Sequence, residues 1–270
     1  MAEGQATVYF TGTAGAGKST LVAAFARWCS QHGLTTTVVN LDPGAEKLPY
    51  EPDVDIRDYV RLDEIMEEHD LGPNGAQIAA ADMIALNLDE VREDIGGFRS
   101  DMVLVDTPGQ VELFVFRQSG KLIVENLAPQ SSVIAYLLDP FLARTATGFA
   151  SQLMLAATTM FRFQEPMTFL VSKSDVVDPE SLETIAGWGA DPTALESDVL
   201  GEAPSMGREF AADITRLLER LGIESTLLPV SSADNTGMDD LYAHIQSAVG
   251  QAEEATPEYD TFLRPDQDEV

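Results

Sequence analysis

The chain has 270 residues, 44% of them hydrophobic and 7% aromatic, which suffices for one large α/β core and excludes wholesale disorder. Its 45 acidic against 16 basic residues leave a formal charge of −29, a surface that repels nucleic-acid phosphates and anionic membranes, so no direct nucleic-acid binding is expected. A single cysteine, Cys29, excludes an intramolecular disulfide and a thiolate metal cluster, and His32, His69 and His244 stand too far apart in sequence to form a metal motif.

No apolar run reaches eighteen residues, and the N-terminus passes from Met1 almost directly into a strand-like segment without a basic leader, so a cytoplasmic protein off the membrane is expected. Acids spread along the chain at this density destabilise a compact fold unless they are screened. That pattern predicts a halophilic setting with a saline cytoplasm.

Short β-branched runs alternate with longer stretches of three- and four-residue apolar spacing, which predicts a doubly wound, mainly parallel α/β sheet covered by helices, with helical insertions. The first strand is predicted over Thr7–Thr11. Directly behind it, Gly12-Thr13-Ala14-Gly15-Ala16-Gly17-Lys18-Ser19 fits G-x-x-x-x-G-K-[ST] and opens into a helix predicted over Ser19–Gln31. Glycines let the backbone wrap a phosphate with its N–H groups inward, and the helix N-terminus adds positive potential. Gly12, Ala14, Gly15, Ala16, Gly17, Lys18, Ser19 and Thr20 are the expected phosphate set, with Lys18 on the β- and γ-phosphates and Ser19 on Mg²⁺.

A second strand, Thr35–Leu41, ends in Asn40-Leu41-Asp42-Pro43-Gly44. The following Pro43–Gly75 exceeds ordinary connection lengths and is read as an insertion. It closes on Leu71-Gly72-Pro73-Asn74-Gly75-Ala76 ahead of a helix predicted over Gln77–Leu88. Taken alone, that motif is a turn in which Asn74 caps the helix.

The strand Met102–Val105 runs into Asp106-Thr107-Pro108-Gly109-Gln110, where an aspartate at the carboxyl end can bind Mg²⁺ directly or through water and Gly109 N–H can sense a γ-phosphate. Gln110 and Glu112 are candidates for positioning water. Next come the strand Ser132–Leu138, the helix Thr147–Phe163 and the strand Thr168–Val171.

That last strand leads into Ser172-Lys173-Ser174-Asp175, which resembles the N-K-x-D guanine motif of GTPases. Asp175 would accept both N1–H and N2–H₂ of guanine, donors that adenine does not offer on one edge, and Lys173 would lie across the base plane. Ser172 departs from the pattern by replacing asparagine, so the usual brace to the phosphate loop is weakened or rearranged. A second insertion, Val176–Gly207, precedes a helix at Gly207–Leu221 and a strand at Thr226–Val230. Ser231-Ser232-Ala233 then resembles the S-A element that offers a backbone N–H to guanine O6, before a helix at Met238–Val249. One domain over residues 1–250 is expected, with insertions at about 43–75 and 176–207 and a poorly ordered acidic tail at 251–270.

Gly72-Pro73-Asn74 ahead of a helix, together with Asn40-Leu41-Asp42-Pro43-Gly44 and the four elements above in this order, resembles the GPN-loop GTPases from Thr7 to about Val249. The resemblance implies a P-loop NTPase fold related to signal-recognition and MinD-type NTPases, GTP hydrolysis with Mg²⁺, and a homodimer or paralogous heterodimer acting as a switch or assembly factor. It also implies that Asp42 holds Mg²⁺ or orients the attacking water, and that Asn74 of one subunit approaches the γ-phosphate of the other through the GPN loop. The protein client is not identified by the sequence. A MinD- or ParA-like ATPase is the rival enzyme, although those carry a second lysine early in the P-loop where this chain has Thr13. A nucleotide-gated scaffold with negligible turnover is the rival outside catalysis.

Overall fold

The computed structural model describes residues 5–127, 132–220 and 226–255. Seven strands, β1 (Ala6–Gly12), β2 (Thr36–Asn40), β3 (Val54–Asp55), β4 (Met102–Asp106), β5 (Ser132–Leu138), β6 (Met167–Val171) and β7 (Leu227–Pro229), form one sheet in the order β3-β2-β4-β1-β5-β6-β7. Every neighbouring pair is parallel. Eleven helices surround it among the described residues: α1 (Lys18–Gln31), α2 (Leu62–His69), α3 (Pro73–Leu86), α4 (Leu88–Gly96), α5 (Val111–Phe114), α6 (Gln118–Leu127), α7 (Ala146–Phe163), α8 (Pro179–Ala190), α9 (Pro192–Gly201), α10 (Met206–Arg220) and α11 (Met238–Ala255). None of these is long and apolar enough to cross a membrane.

Both faces of the sheet are covered, so its central strands are apolar without alternation, and β1 and β5 are buried at all seven positions. Alternate side chains of β1 serve different cores: Phe10 meets Phe25 and Trp28 of α1 and Leu241 and Ile245 of α11, while Tyr9 joins Ile84 of α3, Phe114 of α5 and Ile123 of α6. A third core gathers α7 to α10 around Tyr136, Phe149 and Trp188. Cys29 is buried in the first of these, and burial pushes its thiol up to about 12. Parallel register places Asn40 and Phe10 opposite Asp106, so β2 and β4 end level while β1 runs two residues further to Gly12.

Both insertions contain regular elements. Residues 43–75 hold β3, a 3₁₀ turn at Ile56–Asp58 and α2. In residues 176–207, α8 and α9 each start with proline behind a capping aspartate, Asp178 accepting from Ser181 N–H and Asp191 from Thr193 N–H. The Pro and Asp residues of this insertion are therefore a helix-start signature.

The capping reading of Asn74 needs correction. α3 begins at Pro73, Gly72 is its N-cap, and Asn74 sits inside the first turn without capping anything. The helix expected over Gln77–Leu88 starts earlier and is broken at Asn87, whose Nδ2 donates to Met83 O. α11 continues to Ala255, while Leu221 and residues 256–270 of the expected tail lie outside the described residues.

Candidate nucleotide site

Between β1 and α1 the phosphate loop is held by close packing. Gly12 has φ +150°, and a Cβ there would stand 2.6 Å from Leu137 O on the adjacent β5, so a side chain cannot pass. Gly17, at φ +96°, is the N-cap of α1 and supplies no side-chain acceptor to its first amides. Lys18 is buried, and its Nζ donates to Gly12 O (3.0 Å), Thr13 O (3.1 Å) and Gly109 O (2.8 Å). Burial lowers its pKa, while the carboxylates of Asp106, Asp42 and Glu112 pull it back up.

Beside the loop stands Asp106, buried at the end of β4. Tyr50, from the first insertion, donates its hydroxyl to Oδ2 at 2.7 Å. Oδ1 is buried and has no hydrogen-bond partner. Desolvation raises this carboxyl to about 6, against the Ser19 hydroxyl, Tyr50 and Lys18, which lower it. Ser19 is thus close to the carboxyl, although no hydrogen bond joins it to Oδ1. An orphaned buried carboxylate oxygen next to a hydroxyl suits a hard divalent cation, which takes oxygen ligands and keeps several waters. No cluster of three or more His, Cys, Asp or Glu that could hold a metal occurs among the described residues, so the donor set that fits is Ser19 and Asp106, completed by phosphate and water.

Asp42 is held differently. Its Oδ1 accepts from Gly44 N–H (2.9 Å) and its Oδ2 from Gly109 N–H (2.8 Å). The Gly109 peptide therefore bridges the two sides, giving its N–H to Asp42 and accepting from Lys18. Buried Asn40 braces the turn: its Oδ1 accepts from Asp42 N–H, and its Nδ2 donates to Asp42 O and to Asp55 Oδ1. Arg57 pairs with Asp55 and donates to Ala45 O, tying the far side of the turn. Gln77, one turn after Asn74 in α3, brings its amide beside Gly44.

Beside the N-terminus of α1 a cleft of about 480 Å³ opens between Ala16, Gly17, Thr20 and Leu21 on one side and Ser172, Lys173, Asp175, Val176, Val230, Ser232 and Ala233 on the other, with Phe141 in its wall. Lys173 adopts φ +54°. Its Nζ donates to Gly15 O (2.7 Å) and pairs with Asp139 Oδ2 (2.9 Å), so the lysine itself braces the phosphate loop. Ser172 turns instead to Leu138 O at 3.1 Å, which is how its replacement of asparagine is accommodated. Buried Ser231 Oγ accepts from Ala233 N–H and fixes the loop after β7.

The structure thus collects the expected phosphate, metal and base residues along one edge of the sheet. Asn74 and Gln110 are exposed, and their side chains make no hydrogen bond among the described residues. Sequence reasoning missed Tyr50, Asp139 and Phe141. Asp139 directly follows β5 much as Asp106 closes β4, so the rule of carboxyl-end aspartates could have found it. Nothing local to Tyr50 announces its contact.

A parallel sheet with a glycine-rich phosphate loop entering α1, and a half-open cleft at the ends of β6 and β7, defines a P-loop nucleotide-binding protein. A family model described as "conserved hypothetical ATP binding protein" matches residues 10–251. The chain belongs to this family, and curated relatives of the chain are named GPN-loop GTPases. GPN-loop GTPase 3 of Kluyveromyces lactis is 31% identical over 93% of the chain and 94% of its own length. GPN-loop GTPase 1 of Dictyostelium discoideum is 30% identical over 88% of the chain, which spans only 60% of that relative. Among solved structures, a GTPase from Pyrococcus abyssi in apo form superposes with a TM-score of 0.80 at 29% identity, covering 93% of this chain and 98% of that one.

Proposed function

We propose that the protein binds GTP and hydrolyses it to GDP and phosphate with Mg²⁺, working as a dimeric switch or assembly factor in a salt-rich cytoplasm. The observation that carries this reading is the single cleft in which Ala16, Gly17 and Thr20 of the phosphate loop face Ser172, Lys173, Asp175, Ser232 and Ala233. Names of relatives agree with it.

In this reading Asp175 accepts from N1–H and N2–H₂ of guanine, the loop at Ser232 and Ala233 offers N–H to O6, and Lys173 lies across the ring. Lys18 exchanges its three carbonyl partners for β- and γ-phosphate oxygens, and Gly109 N–H leaves Asp42 for the γ-phosphate. Ser19 and Asp106 hold Mg²⁺, which when bound neutralises charge on those phosphates. Asp42, released from Gly109, is free to orient the attacking water or add to the metal shell, with Gln110 as the alternative water-positioning side chain. Asn74, exposed on α3, acts on the γ-phosphate of a second copy of this chain. Catalysis on this account is positioning and electrostatics throughout.

Competition binding tests the base: GTP and GDP displace labelled GDP far better than ATP does. Equal displacement by ATP overturns the guanine assignment and favours the ATP binding that the family model's description names. Single-turnover hydrolysis by the purified protein separates an enzyme from a scaffold.

A further inference from the structure

Tyr50 contributes nothing to any motif, yet its hydroxyl makes the closest contact to the carboxylate placed at the metal. The segment that carries it is pinned at both ends: Leu41 N–H donates to Asp106 O at 2.9 Å, and Asp53 exchanges two bonds with Val38, its N–H to Val38 O (2.8 Å) and its carboxylate to Val38 N–H (2.7 Å). The Tyr50 ring packs against the core cluster that contains Phe10 and Phe25. A ring anchored in a core on a tethered segment is a fixed donor, not a movable latch. Its bond to Oδ2 at 2.7 Å leaves Oδ1 as the uncommitted oxygen of Asp106.

We propose that Tyr50 is a positioning residue for the divalent cation, fixing the Asp106 carboxylate so that one defined oxygen serves the metal. The inference rests on the GTP and Mg²⁺ reading above. Partners of this kind orient ligating carboxylates, and their removal typically weakens metal binding about 10- to 100-fold. Tyr50 also ties the first insertion to the nucleotide: the chain that leads to Gly72-Pro73-Asn74 starts from a residue bonded to the metal's own ligand.

The test uses the full chain loaded with GDP, with Mn²⁺ as the probe. Free Mn²⁺ is followed by electron paramagnetic resonance, and labelled GDP is titrated in parallel in EDTA. Tyr50→Phe is expected to bind GDP in EDTA as the wild type does and to weaken Mn²⁺ about 10- to 100-fold. In an Asp106→Asn background the same change has no further effect. Tyr50→Leu, which also vacates the ring's packing, shares the metal defect and lowers the melting temperature, separating hydroxyl from ring. Wild-type Mn²⁺ affinity in Tyr50→Phe overturns the inference, as does a tighter one, which would make the phenol a competitor of the metal. If GDP binding to the wild type gains nothing from Mn²⁺, the Mg²⁺ reading itself fails and takes the inference with it.

Discussion

The two ends of the site are built on opposite plans. At the base end the walls are formed: Lys173 is clamped between Gly15 O and Asp139, Ser172 is tied to β5, and Asp175 is exposed in the cleft without a hydrogen bond among the described residues. At the phosphate end Lys18 and the Gly109 N–H, both proposed to meet phosphate, are engaged by the protein itself, Lys18 by three carbonyls and Gly109 N–H by Asp42. A preformed surface binds without reorganisation, whereas a self-satisfied cluster must exchange partners, and only the difference between old and new partners appears as affinity. Base recognition should therefore set tightness and selectivity, while the exchange at the phosphates should be where nucleotide state is read.

The strongest attack on this comparison is at the phosphate end. Asn74→Ala is expected to keep GTP affinity and a nearly native melting temperature while its hydrolysis rate falls by about 10²–10³, the cost of losing one donor aimed at developing charge. Since Asn74 caps no helix, a loss of stability is not expected from it. Lys18→Ala should lose turnover altogether. Mixed heterodimers of the two leave one working phosphate loop, in the Asn74→Ala chain, facing an intact Asn74 from its partner, and part of the activity should return. If demonstrated heterodimers recover nothing, Asn74 does not act across subunits.

A smaller effect is expected at the base end. Asp175→Asn removes the shared acceptor for N1–H and N2–H₂, at a cost of about 2–3 kcal/mol in GTP binding, and xanthine nucleotides should gain relative to guanine. Because Asp175 touches nothing at the phosphates, Mn²⁺ affinity of the loaded protein should stay put. A variant that instead loses metal binding would show that the two ends are not separable.

How much of this was legible follows the same division. Local spacing carries a phosphate loop, so Gly12 to Thr20 stood out in the sequence and α1 begins within a residue of its expected start. Buried parallel strands also announce themselves as apolar runs, and β5 matches its expected bounds. Contacts made between distant segments leave no such trace. The bond from Tyr50 to Asp106 spans 56 positions and that from Lys173 to Gly15 spans 158, and both depend on strand order. The departure at Ser172 was visible, but that Lys173 and Asp139 carry the brace in its place was not. Helical insertions were expected, but Pro-rich and acidic composition hid where α8 and α9 begin and end, because capping residues and turn residues are the same amino acids.

The least of the expected effects distinguishes a charge buried for function from charges spread on a surface. Asp106 has its carboxyl raised from 3.8 to about 6, principally by desolvation. A folded-state pKa above the unfolded one means that the folded protein favours the protonated form. The associated stability is complete below about pH 4 and is lost as pH climbs through about 6. A rise of that size corresponds to about 3 kcal/mol. Asparagine does not titrate, so in EDTA without nucleotide Asp106→Asn should melt increasingly above wild type as pH rises from 4 to 6, with the gap constant beyond. The surface behaves otherwise: with 45 acids against 16 bases, both proteins should melt higher as KCl is raised towards molar, since the repulsion is screened. Salt reaches the surface acids and barely reaches a buried carboxyl. The gap between the two proteins should therefore survive in molar KCl while their absolute melting temperatures climb. A gap that vanishes with salt would place the destabilisation in long-range repulsion and not in the desolvation of Asp106, and melting temperatures indifferent to KCl would remove the halophilic reading.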